Sequence, residues 1–220
     1  MTAETGGGGS GRPWLAIAAG GGLLAIVCCF FPPFRIVALD AAEEERQSRQ
    51  FDPITYADEF WTEQLPGMAD QATEASELVA ALADDPDAAK SRYGRTMGIG
   101  DTHYFHVRGE GTILEVTEGE SIGVSLDGGE VVQAVFPTGL LFSNAVRDAT
   151  GRIRVSEFAS SRHFNDVTSE LNKRVETELL PRLREQAKPG VRLAFVACAE
   201  VTGEGDPLPL RVIPVAIDFP

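Results

Sequence analysis

The sequence predicts an α+β fold: an N-terminal transmembrane helix, then a helical region, then a small antiparallel β-barrel-like domain with a helix of the C-terminal half packed on it. Three observations lead there. Residues 14–31 read WLAIAAGGGLLAIVCCFF without a charge, residues 52–94 carry apolar side chains at helical spacing, and beyond Gly98 short apolar runs alternate with glycine-bearing turns.

The uncharged run is the first element. At about 1.5 Å of rise per residue it reaches the lower length needed to cross hydrocarbon. Apolar character resumes after Pro32-Pro33 in Phe34, Ile36, Val37, Ala38 and Leu39, and Arg35 is placed to snorkel. Residues 14–39 are therefore expected to be a transmembrane or signal-anchor segment. Residues 1–13 form a short leader with Arg12 near the membrane edge, whereas Asp40, Glu43, Glu44 and Glu45 follow the span. The positive-inside rule then leaves the leader in the cytoplasm and the remainder outside. The polar stretch 40–50 reads as a tether, and residues 51–220 as an extracytoplasmic domain.

Within that domain Asp52-Pro53 begins a helix, with Asp52 as N-cap and proline at the first turn, where a missing N–H costs nothing. Tyr56, Phe60 and Trp61 share a face. Pro66 restarts the helix, and Met68, Ala72, Ala75, Val79 and Leu82 continue the spacing; Asp85-Pro86 opens a further turn that Gly94 ends. His103–Val107, Gly111–Val116, Ile122–Leu126 and Val131–Phe136 then read as strands of an antiparallel meander, with Asp127-Gly128-Gly129 as its clearest hairpin signal. Phe142–Ala149 reads as a short helix or turn and Ile153–Phe158 as a strand. A second long helix starts at an Asn165 or Asp166 cap, and Val191–Cys198 and Leu210–Ile217 are the closing strands.

Charge bounds the function. There are 33 acidic against 19 basic residues, and the formal charge is -14. The segment before Ile36 contributes only Glu4, Arg12 and Arg35 to these totals, so the acidity belongs to the outer domain. A surface of this sign repels phosphate backbones, and nucleic acid is not expected as a partner.

Among chemistry-bearing residues, His103 and His106 stand three apart in one strand, which puts them on opposite faces and argues against a shared metal ion. His163 is isolated. Cys198, in FVACAEV, reads as a buried thiol, because a nucleophile would need a histidine and a lowered pKa. The acidic residues around Glu110–Glu120 read as a solvated face, and GGGGSG in the leader lacks the lysine of a phosphate loop. No catalytic residue, metal or cofactor is expected. The candidate contact residues are Asn144, Arg147 and Asp148, where Arg147 offers a planar fork either to a neighbouring carboxylate or to a ligand, together with Tyr56 and Trp61.

Several segments carry a resemblance: FRIVALD at 34–40, FDPITYADEFWTEQLPGM at 51–68, DPDAAKSRYG at 85–94, VRGEGTI at 107–113, AVRDATGRI at 145–153 and ELNKRVETELLP at 170–181. Together, and in this order, they resemble a family of periplasmic lipoproteins, domain of unknown function 2291. The resemblance implies export and a helical N-terminal region followed by a barrel-like body. It also implies a role beside sugar-uptake transporters, and no catalytic residues. The family's lipidated cysteine stands just before the motif that here begins at Phe34. In this chain Pro32-Pro33 fills that place, which favours a protein anchor.

The expected function is a membrane-anchored, periplasmic or cell-surface accessory or binding protein. Its expected partners are the membrane and an envelope transporter or solute-binding protein; its oligomeric state is left open. An extracytoplasmic hydrolase and a structural envelope spacer are the alternatives.

Overall fold

A computed structural model describes residues 51–98, 100–203, 205 and 207–220. These belong to the larger of the two units into which the chain divides, residues 46–220.

Helix α1 (Pro53–Glu59) starts as its sequence predicts, with the Asp52 carboxylate accepting from the Ile54 amide. It widens into a π-turn at Phe60–Gln64, closed by the Leu65 amide on the Phe60 carbonyl (2.9 Å), and continues as a 3-10 segment, Pro66–Gln71. The widening has a local cause. Pro66 has no N–H to donate, and its ring crowds the preceding turn. The same device recurs in the second long helix, where α5 (Ser161–Arg174) passes through a π-turn at Val175–Leu179 into α6 (Leu180–Gln186), just before Pro181. That helix begins earlier than expected, because Ser160 is its cap and accepts from the His163 amide at 3.3 Å.

Strand β1 (Thr73–Glu74) interrupts what the spacing predicts as one helix, and α2 (Ala75–Asp84) follows it. Asp85 caps α3 (Pro86–Tyr93), and β2 (Arg95–Thr96) lies beyond Gly94. Strand β3 (Thr102–Thr117) is one strand of 16 residues rather than the two expected. Gly109, read as a separator, is instead a point of close approach, since a Cβ there would stand 3.2 Å from Ala75 Cβ and 3.3 Å from the Phe195 ring.

The body is a ring of five strands: β3, β4 (Ser121–Ser125), β5 (Ala134–Pro137), β7 (Leu210–Asp218) and β6 (Arg192–Thr202). It closes on itself because β3 and β6 pair from Thr102↔Thr202 to Thr112↔Arg192. Pro214 falls at a register shift between β6 and β7, the kind of irregularity that admits a proline inside a sheet.

Two parts of the expected architecture are corrected. The sheet is mixed, not antiparallel, because β5 runs parallel to β7 and β1 parallel to β3. Among the described residues no helix is long and apolar enough to cross a membrane, and the segment 14–39, on which the expected transmembrane helix falls, lies outside them. Ile153–Phe158 is also not a strand; it holds a 3-10 turn at Val155–Glu157, with Ile153 buried.

The chain between β5 and β6 leaves the ring and covers it with α4 (Ala145–Asp148), α5 and α6. Neighbours on a strand face opposite ways, so burial of both Tyr104 and Phe105, and of Ala197, Cys198 and Ala199 in succession, means that β3 and β6 are covered on both faces. The small side chains on β6 let α4 lie close against β3, β6 and β7.

Candidate functional site

The predicted contact residues fall into two neighbourhoods. Arg147 and Asp148 are 5% and 1% exposed. They bind each other through two parallel bonds, Nε to Oδ1 at 2.6 Å and Nη2 to Oδ2 at 2.8 Å. Nη1 of Arg147 donates to Thr168 Oγ1 at 2.7 Å and to Asn165 Oδ1 at 3.3 Å, and the guanidinium stacks on Phe164 at 3.6 Å. The fork of Arg147 is thus satisfied by the adjacent residue and by α5. Phe164 leads on to Phe158, and Phe158 to Tyr56 and Phe51, in one aromatic cluster. Burial, and after it the Glu157 charge, raises the Tyr56 phenol above its ordinary range. Trp61 packs half-buried against the core.

Asn144, at the start of α4, belongs to the second neighbourhood. The sequence reading did not find its principal feature. In the segment Thr138–Ser143 between β5 and α4, Leu140 is 74% and Phe142 92% exposed, while Leu141 between them is buried. This is not a loosely held loop. The Leu141 amide donates to Glu176 (2.6 Å), and Asn172 Nδ2 donates to the carbonyls of Leu141 (3.4 Å) and Ser143 (3.0 Å). On the other side Glu200 accepts from the Ser143 hydroxyl (2.9 Å) and the Asn144 amide (3.3 Å). The backbone on both sides of Phe142 is therefore tied to α5, its π-turn and β6, and the ring is displayed. A cleft of about 290 Å³ lies on the side of Thr202, Arg211 and Ile213, and one of about 380 Å³ on the side of Asn144, Asn165, Asn172 and Lys173. A signal for this feature stood in the sequence: Leu140-Leu141-Phe142 is an apolar triplet in a connection, and it cannot turn every side chain inward.

The groups that a hydrolase would need are differently placed. His106 and Cys198 are register partners across β3 and β6, so the fold supplies the neighbouring histidine. Complete burial pushes the thiol far above the ordinary cysteine range and away from the thiolate. His163 is stacked on Phe51 at 4.7 Å between ring centres. Among the described residues no three metal-ligating side chains converge.

With the geometry in place, comparison with known proteins fixes the family. The sequence pattern of the predicted periplasmic lipoproteins, domain of unknown function 2291, matches residues 24–218. The chain belongs to this family. The body of this predicted periplasmic lipoprotein is also similar to the crystal structure of an OB-fold protein from Thermotoga maritima MSB8. The two are 25% identical, with a TM-score of 0.69, and the match covers 77% of this chain and 99% of that one. The strand ring β3-β4-β5-β7-β6 is the Greek-key order of that fold, in which the third and fifth barrel strands run parallel. No curated protein matches this chain.

Proposed function

We propose that the barrel and its helical cover form a non-enzymatic binding module of the periplasm, and that the Leu140–Phe142 ridge with its two clefts is the surface that meets a protein partner. The observation that carries this reading is Phe142, an aromatic ring 92% exposed on a backbone pinned from both sides. Exposed aromatic anchors beside small pockets are where interface energy concentrates. The place agrees with the fold: Thr202 and Arg211 flank the β6–β7 connection, which corresponds to one of the loops that frame ligand sites in OB-folds. Asn144 belongs to this surface, and Arg147 and Asp148 hold α4 beneath it. The partner class is an envelope transporter or solute-binding protein, with sugar uptake as its setting.

The test is capture of partners from a detergent-solubilised envelope by the intact protein and by a Leu140→Ser/Phe142→Ala variant. The variant is expected to keep its melting temperature and to lose the partner; equal capture by both would overturn the reading.

The attachment proposed for this family member is an acyl group on Cys28 or Cys29, both within the matched residues. The mass of the native, membrane-extracted protein is expected to exceed that of the polypeptide by a lipid moiety. An unmodified mass would refute this attachment.

A further inference from the structure

Two buried side-chain atoms among the described residues have no hydrogen-bond partner: Oδ1 of Asn172 and Nε2 of His106. The first belongs to an amide already holding the ridge backbone. The second points to something else. His106 borders a small cavity of about 60 Å³, which four parts of the chain build. Gln71 and Thr73 come from the 3-10 segment and β1, Tyr93 and Arg95 from the end of α3 and β2, His106 from β3, and Ala149-Thr150 from the turn after α4.

Its chemistry stands apart from the rest of the molecule. In a chain with 33 acidic and 19 basic residues, this lining contains one cation, Arg95, and no carboxylate. The exposed Arg95 lies against Gly151: a Cβ there would stand 3.1 Å from a guanidinium nitrogen and 3.4 Å from Arg95 Cδ, and the arginine would have to give way slightly. The φ of +66° at Gly151 bars other residues for a second reason. Thr150, 6% exposed, accepts from the Arg152 amide at 3.4 Å, which leaves its hydroxyl proton to give. Burial, followed by the Arg95 charge, lowers the His106 pKa and keeps the ring neutral, so it has one N–H to offer.

An unpaired buried polar atom costs free energy unless something arrives to meet it. The volume is several times the ~10–15 Å³ that one water requires, enough for a planar group of three heavy atoms. We propose that this cavity receives a carboxylate group, gripped by the Arg95 fork and by the His106 and Thr150 donors. A carboxylate suits the set better than a neutral group because it matches a guanidinium with two oxygens. It also offsets the one positive charge in the lining.

The probe is the imidazole nitrogen spectrum of the full-length, histidine-labelled protein in detergent, titrated with formate, acetate, chloride and the neutral isostere acetamide. A His106→Gln variant assigns the His106 signals. Formate and acetate are expected to shift them saturably, with His103 and His163 unmoved and acetamide inert. In Arg95→Gln the apparent affinity is expected to fall about tenfold or more, as loss of a charge-assisted bond requires. Thr150→Val provides a second, uncharged variant with a smaller loss. Chloride competing with formate at equal strength would mean that charge alone is recognised, and would overturn the carboxylate assignment. If formate and acetate shift His106 no more than acetamide does, the cavity is a water site and the proposal fails.

Discussion

Arg147 and Asp148 show how much a single residue's meaning depends on what lies above and below it in space. Read along the chain, the two are a charged pair beside a turn, and the arginine fork suits a structural neighbour before it suits a ligand. Folded, they form a forked pair beneath α5, with Phe164 against the guanidinium. A buried pair gives little net stability when intact, but removing one member strands a charge in a dry environment. Asp148→Asn or Arg147→Met is therefore expected to lower unfolding free energy by about 3–5 kcal/mol, measured by urea denaturation. The Arg147→Met/Asp148→Asn double change should cost less than the two single changes summed. Arg147 and a neighbouring carboxylate as its partner were legible, but the contacts to Asn165, Thr168 and Phe164 were not, because they come from a helix later in the chain. Phe142 carried a signal in its apolar triplet, but hydrophobicity by itself predicts burial, and only the tethering by Glu176, Asn172 and Glu200 shows why this ring stays outside.

Elements were readable where local chemistry decides them. The Asp52-Pro53 and Asp85-Pro86 starts, both realised as helix caps, depend only on a side-chain oxygen reaching an amide two residues on. Strands were readable in part, because their partners lie far away in sequence. Thr73-Glu74 sits inside a helical apolar pattern, yet it pairs in parallel with Val107-Arg108, where the Arg108 guanidinium meets Glu74 at 2.7 Å. Glycines show the same division. A Cβ at Gly111 would collide with Val124 Cγ1 and meet the Ser125 carbonyl at 2.7 Å, whereas one at Gly67 meets nothing within 4 Å. Gly111→Ala forces two barrel strands apart and is expected to destabilise by about 1–3 kcal/mol. Gly67→Ala should be neutral, or stabilising by up to about 1 kcal/mol through the unfolded chain. Thermal unfolding of the two variants side by side checks both.

For the molecule as a whole, the spacing showed that helices and short strands are present, but neither the closure of the ring nor the parallel pairing of β5 with β7 was visible in it. A short strand followed by a long helical excursion does not announce which edge it will join, and the antiparallel expectation rested on hairpin turns that describe only β3 to β5. The acidity, by contrast, was fully legible, and it predicts no binding of nucleic acid, since OB-folds that bind it line their clefts with basic and aromatic groups. A fluorescent single-stranded oligonucleotide is expected to show no anisotropy change with this protein at about 150 mM salt, where screening already weakens distant charges. Saturable binding there would contradict the charge argument.

Barrel closure has a consequence for biogenesis. The long strand β3 finds its mate 80 positions later at its near end, Thr112 to Arg192, and 100 later at its far end, Thr102 to Thr202. Synthesis must therefore run past Arg192 before that seam can zip, and contacts so distant in sequence form slowly. A polypeptide whose ring stays open until β6 emerges is well suited to threading through a narrow translocation pore, and to completing its architecture only on the far side.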